Sequence, residues 1–282
     1  MWEFRHFLGL SSDRIWNGCL IENKVLLRAK VYSMYLRIDN RKVHYKKLGS
    51  GKPILFVHGW GGNLYSLHKL ATLAAKKYTA ILIDLPGFGK SDNPPPHWGV
   101  QGYAENLAHF IKALKLKNVT YFGHSFGGEL GIYLAARFED TIDKLILCNS
   151  AFKREKKISR LARLLKTYPR NKIVFLKFLE PHIRRIYYRF FHKESDLLKY
   201  PHLESNFRKI ITQDLTSETK KIRKKTLILW GEDDTMTPVL WGYELDHNIQ
   251  GATIKVMPQT NHNLPIIKPS LVWSEIKAFL AS

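Results

Sequence analysis

Cysteine is scarce in this chain: its 282 residues hold two, Cys19 and Cys148, far apart, with Cys148 inside the apolar run Leu145–Cys148. Such a pair makes no disulfide framework, and a reducing, cytoplasmic setting is expected. Long apolar runs are missing too, and nothing approaches the roughly 20 residues that span a bilayer. The opening Met1-Trp2-Glu3-Phe4-Arg5-His6 carries charge early and lacks a long apolar stretch, so no signal peptide is expected. There is no His-Glu-x-x-His and no Cys-x-x-Cys, which leaves a metal site without support. Gly49-Ser50-Gly51-Lys52 echoes a phosphate loop, yet Lys46 stands where the first glycine of that motif is required, and a strand follows rather than a helix. Internal repeats are absent, and the one low-complexity tract is the stiff Pro94-Pro95-Pro96.

Negative charge is also in short supply. Against 45 Lys and Arg stand 24 Asp and Glu, for a net charge of +21. Most of the excess lies between Lys153 and Lys225, where 22 basic residues face 7 acidic ones, a net +15. A field of that sign could draw an acidic carrier protein or an anionic membrane surface, although a general bias towards lysine would produce the same count. No nucleic-acid recognition motif accompanies the charge, so nucleic acid is not an expected partner.

What is present points to a globular enzyme. Apolar residues make up 45% of the chain, enough for one substantial core at this length. Ser33–Ile38 and Lys42–Lys47 alternate around Asp39-Asn40 and predict a hairpin. Pro53–His58, Ala80–Asp84, Lys144–Asn149, Thr226–Trp230 and Thr253–Met257 read as buried strands, and Asn118–Phe122 as a short β-prone run. Helical patterns separate them: Leu64–Lys77, a stripe through Leu107, Phe110, Ile111 and Leu114, a small-residue helix from Glu129, and Leu271–Leu280. The rhythm predicts a mostly parallel sheet with helices on both faces. It breaks over 151–217, a basic segment without a buried strand that reads as a helical insertion. Residues 1–32 form an aromatic-rich arm with no assigned role.

Gly123-His124-Ser125-Phe126-Gly127-Gly128 joins a strand to a helix. A serine at such a sharp turn is strained and exposed, with glycines on either side where a Cβ would collide with backbone. The Phe126 amide then sits at the positive end of a helix, where an oxyanion would form. Acyl transfer needs three further groups: a base, an acid to orient it, and a second oxyanion donor. His262 follows the last strand and suits the base, because sites in parallel sheets form at the strands' carboxyl ends. His247 competes from a helix; His182, His192 and His202 fall in the basic insertion, and His124 reads as a packing residue. The acid comes from Glu232-Asp233-Asp234, where spacing alone does not choose. His58-Gly59-Trp60-Gly61-Gly62 offers the Trp60 amide as second donor, with the His58 imidazole in a structural role.

Taken together, His58–Gly61, Asp84-Leu85-Pro86-Gly87-Phe88-Gly89-Lys90-Ser91 and the segment around Ser125 resemble the α/β-hydrolase superfamily from about residue 33 to the end, insertion aside. The resemblance implies an α/β-hydrolase core over 33–150 and 218–282, with 151–217 as a helical cap inserted after strand 6. It selects Asp234 as the acid, three residues beyond the glycine that ends its strand, and so implies a Ser125–His262–Asp234 triad. Trp60 and Phe126 supply the oxyanion hole, and His58, Gly59, Gly123 and Gly127 support the motifs. Lys225 departs from the proline many members carry there. A serine nucleophile speaks against dehalogenases and epoxide hydrolases, which use aspartate. The motifs are similar to those of carboxylesterases that cleave pimeloyl-carrier-protein methyl ester. The implied activity is hydrolysis of a small-molecule carboxylic ester without a cofactor; C–C bond hydrolysis, an interfacial lipase or acylglycerol hydrolase, and a non-catalytic binding protein are the alternatives.

Overall fold

The computed structural model describes residues 32–153 and 199–282. The chain starts there with a hairpin, β1 (Tyr32–Ile38) and β2 (Arg41–Leu48). Its turn residues Asp39 and Asn40 have φ of 46° and 64°. Two left-handed residues in succession match the twist of the flanking strands, and short polar side chains tolerate that conformation. Six further strands follow: β3 (Pro53–Val57), β4 (Thr79–Ile83), β5 (Thr120–His124), β6 (Lys144–Cys148), β7 (Lys225–Gly231) and β8 (Thr253–Met257). All eight join one sheet in the order β1-β2-β4-β3-β5-β6-β7-β8. The pairings β1–β2 and β2–β4 are antiparallel and the other five parallel.

Parallel strands must be joined by crossovers, and helices provide them. A 3-10 turn (Leu64–Leu67) leads into α1 (His68–Ala74); α2 (Val100–Ala113) and α3 (Phe126–Arg137) follow. After the segment outside the described residues come α4 (Glu204–Ile210), α5 (Thr216–Thr219), α6 (Val239–Asn248), α7 (Leu264–Ile267) and α8 (Pro269–Ala281). Side chains alternate across each strand and divide the interior in two. Leu55 and Val57 of β3 join a cluster with α2, α3 and α6, whereas Ile54 and Phe56 join one with α1 and α8. This is the mostly parallel sheet with helices on both faces that the pattern of the chain predicts, in the α/β-hydrolase arrangement that the resemblance implies.

Three local differences have physical causes. The strand before Ser125 begins at Thr120, not Asn118, because Asn118 has a φ of 52° and leaves the ladder. It runs on through Gly123 and His124, which pair with Val57 and Cys148. β8 is not a buried strand: among the described residues it is the sheet edge and pairs with β7 alone, and of its five residues only Met257 is buried. The helix after β3 is split, since Asn63 caps the 3-10 turn, its side chain accepting from the Tyr65 amide at 2.9 Å. Of the segments outlined above, the arm is almost wholly outside the described residues, as is 154–198 of the segment expected as a cap.

The consequence for function lies at one edge. β3, β5, β6, β7 and β8 all end on the same side, and the loops beyond them carry His58–Gly62, Ser125, Asn149, Glu232–Thr237 and His262. Residues far apart in sequence, such as Trp60 and Ser125 with His262, line one cavity there because the strands run parallel.

Candidate active site

Ser125 occupies the tip between β5 and α3 with φ 52° and ψ −115°. That conformation costs a serine on the order of 1–3 kcal/mol and needs support from its surroundings. The support is backbone: Ser125 N donates to Cys148 O at 3.1 Å, and Ser125 O accepts from Gly128 N at 2.9 Å and Ala151 N at 3.2 Å. Two glycines make the turn possible. A Cβ on Gly123 would lie 2.3 Å from Gly127 O, and one on Gly127 would lie 2.3 Å from Val57 O. Gly59 brings the β3 loop against the serine, where an added Cβ would stand 3.0 Å from Ser125 Cβ.

His262 is buried just beyond β8, its Nδ1 2.8 Å from Asp234 Oδ2. Facing a carboxylate, Nδ1 carries the proton and Nε2 is left as the acceptor. The loop is pinned by His124, whose Nε2 donates to His262 O at 2.8 Å. His124 itself is fully desolvated and lies beside His262, and both hold its pKa down to about 3, so it stays neutral.

Asp234 is surrounded by donors. Oδ1 accepts from the amides of Met236 at 2.8 Å and Thr237 at 2.9 Å. Oδ2 accepts from His262, from Thr237 Oγ1 at 2.7 Å and from Asn149 Nδ2. Burial alone would raise its pKa, but the hydrogen bond and charge of His262, with Asn149 and the Thr237 amide, bring it down to about 2. Glu232 and Asp233 are exposed, their amides tied to Met257 O and Thr260 O. Of the three consecutive acids, only Asp234 aims its carboxylate at His262. His247 lies exposed on α6, His202 is exposed as well, and His182 and His192 fall outside the described residues.

His58 is wholly buried and bridges two loops. Its Nδ1 donates to Gly59 O at 2.7 Å and its Nε2 accepts from Leu85 N at 3.1 Å, while burial pushes its pKa down. Asp84 extends the same scaffold, accepting from Leu64 N at 2.7 Å, Lys90 N at 2.9 Å and His44 Nδ1 at 2.7 Å. Trp60 and Phe126 both line the pocket, and their rings pack edge-to-face with centroids 5.5 Å apart.

Sequence reasoning missed three contributors. Asn149 is buried with φ 47° and reaches Asp234 from the end of β6. Thr237 binds both oxygens of Asp234, one through its amide and one through its hydroxyl. His44 buttresses Asp84 from β2. An asparagine directly after an apolar strand is the one available signal, and it reads equally well as an ordinary turn.

The resulting cleft has a volume of about 440 Å³. Ser125, His262 and Thr237 sit in it among Trp60, Phe126, Phe207, Ile210, Trp241 and Ile266. Tyr200 ties the far wall to the β3 loop, its hydroxyl donating to Gly61 O at 2.8 Å. Among the described residues no group of three or more His, Cys, Asp or Glu could hold a metal ion.

The chain belongs to the alpha/beta hydrolase fold family, which it matches over residues 52–200. It is 26% identical to an uncharacterized hydrolase, YugF, of Bacillus subtilis over 84% of this chain and 92% of the relative. It is 23% identical to a 2-hydroxy-6-oxo-2,4-heptadienoate hydrolase of Pseudomonas putida, over 76% of this chain and 84% of that one. In fold it is similar to the crystal structure of a putative lipase from Acinetobacter baumannii, with a TM-score of 0.70 and 22% identity over 89% and 91% of the two chains. The protein is a hydrolase of this family.

Proposed function

We propose that the protein cleaves a carboxylic ester through an acyl-enzyme. The observation that carries this reading is the meeting, in one apolar cleft, of a serine held in a left-handed turn with a His262–Asp234 pair 2.8 Å apart. In this reading Ser125 Oγ attacks the acyl carbon as its proton passes to His262 Nε2. The charge forming on the carbonyl oxygen is taken by the amides of Trp60 and Phe126, the latter at the amino end of α3. Asp234, held ionised by its donors, keeps the proton of His262 on Nδ1 and stabilises the imidazolium. His262 then protonates the leaving alcohol, and water activated by the same nitrogen releases the acid. No step needs a cofactor.

Labelling by a fluorophosphonate probe together with turnover of short acyl esters tests this. Ser125→Ala should lose both while remaining folded. Wild-type protein that neither labels nor turns over any ester would refute it. A second reading draws on the likeness to the heptadienoate hydrolase: hydrolysis of a C–C bond in a vinylogous diketone on the same residues. Turnover of a ring-cleavage product with esters left intact would favour that reading.

A further inference from the structure

The cleft crosses the carboxyl edge of the sheet, and its two ends differ in chemistry. At one end stand Trp60, Phe126, Phe207 and Trp241. Phe126 and Trp241 belong to the apolar cluster of α2, α3 and α6, and the Trp60 ring lies 5.5 Å from that of Phe126 and 5.2 Å from that of Phe207. At the other end stand Ser66, Asn263 and Ile266. Ser66 belongs to the 3-10 turn after β3, and Asn263 directly precedes α7. These two short elements pack on each other, and their Leu64 and Leu264 join the cluster of α1 and α8. Glycines connect this end to the serine. A Cβ on Gly59 would stand 3.0 Å from Ser125 Cβ, and one on Gly62 would stand 3.1 Å from Gly59 O and 3.0 Å from Ser66 Oγ.

Both polar side chains have hydrogen-bonding capacity that the fold does not use. Ser66 Oγ accepts from Asn63 N at 3.2 Å, which leaves its own proton without an acceptor among the described residues. Asn263 occupies the N-cap position of α7, where an asparagine side chain ordinarily accepts from helix amides, yet it makes no such bond. It lines the cleft exposed, its side-chain donors and carbonyl without a partner among the described residues.

We propose that Ser66 and Asn263 bind the leaving group, and that the preferred ester has an alcohol with a further hydroxyl close to the ester oxygen. The acyl part then lies among the aromatic rings. This rests on the reading of Ser125 as an ester-cleaving nucleophile and names its substrate class. The proton sets the orientation. His262 must hand it to the leaving oxygen, so the alcohol lies on the His262 side of the scissile carbon, and Asn263 is the next residue. Pairing sets the chemistry. A hydroxyl accepts the Ser66 proton and donates its own to Asn263 Oδ1, whereas a plain alkyl alcohol would fill the space and leave both unpaired.

The ethyl and hydroxyethyl esters of phenylacetic acid share one acyl group and differ only in the alcohol. Wild-type kcat/KM should favour the hydroxyethyl ester about tenfold, the worth of one to two neutral hydrogen bonds. Asn263→Ala removes a side chain that nothing in the described fold relies on, and should cut that ratio to about twofold. Adding Ser66→Ala should abolish it. Because the ratio is read within each variant, any loss of folded protein cancels. The same preference should appear in Kd on Ser125→Ala protein, which turns over neither ester. The proposal is overturned if wild type treats the two esters alike or if Asn263→Ala leaves the ratio unmoved. It is overturned as well if a carboxymethyl ester is preferred to both, which would assign this end to Lys199, another residue of the lining. Turnover without any alcohol preference removes the leaving-group pocket alone. Absence of turnover with the Kd preference intact refutes the ester-cleaving reading and leaves the pocket standing.

Discussion

Asn149 reaches the candidate site from outside the proposed Ser125–His262–Asp234 triad. It sits at the end of β6 with a left-handed backbone and donates to the carboxylate that faces His262. Asn149→Gly keeps the backbone conformation available and removes the donor. A hydrogen bond to an ionised group in a buried site is worth enough that kcat should fall roughly tenfold while KM holds. Wild-type kcat in the variant would show that Thr237 and the two amides orient Asp234 unaided. His124 permits a prediction of a different kind. Its folded pKa of about 3 lies below the ordinary histidine value, so the unfolded chain takes up a proton that the folded one refuses. Above the ordinary value the residue contributes no pH dependence. As pH falls below it, stability is lost progressively until the folded histidine also protonates. His124→Gln keeps a donor for His262 O and removes that proton. The slope of unfolding free energy against pH, measured from about pH 4 to about pH 6, should flatten by about 1.4 kcal/mol per pH unit. An unchanged slope would mean that His124 is charged in the fold.

Among the elements, the turn from β5 into α3 tolerates least. A Cβ on Gly127 would meet Val57 O at 2.3 Å and His58 O at 2.7 Å, both backbone atoms of the neighbouring strand and loop. Neither can move without breaking the pairing of β3 with β5, so Gly127→Ala should cost more than about 3 kcal/mol in urea unfolding. A cost under about 1 kcal/mol would show that the turn can relax. This turn was legible in the chain because its demands are local: glycines where atoms crowd, a strand before and a helix after. The order of loops carrying Ser125, Asp234 and His262 was legible for a related reason, since parallel strands deliver every loop to one edge. Other features depended on distant partners. The start of β5 was misplaced because pairing with β3 and β6, not propensity, decides where it begins. β8 was read as buried because no local signal says that no strand follows it. Glu232, Asp233 and Asp234 are alike in sequence, and it is the amide bonds to Met257 O and Thr260 O that turn the first two outward. Asn149 was invisible because its partner lies 85 residues away.

At the scale of the whole molecule, two apolar clusters share the strands of one sheet, so neither can form without the other and unfolding should be cooperative. Charge works against that cohesion. With 45 basic and 24 acidic residues, positive charge exceeds negative by 21 however the side chains pair. Repulsion among the excess cations is greatest in the compact state, where they are closest, and falls as the chain expands. Raising NaCl from about 0.02 M to about 0.3 M shortens the screening length from about 20 Å to about 6 Å. Exposed ion pairs such as Arg208–Glu204 weaken over the same range, but pairs that are largely solvated contribute little to begin with. Repulsion therefore wins, and Tm should rise by about 2–5 °C across that interval. A Tm that stays flat or falls in a salt titration would show that the excess cations lie too far apart to repel one another, and that the +21 bears on what the surface attracts rather than on how firmly the chain folds.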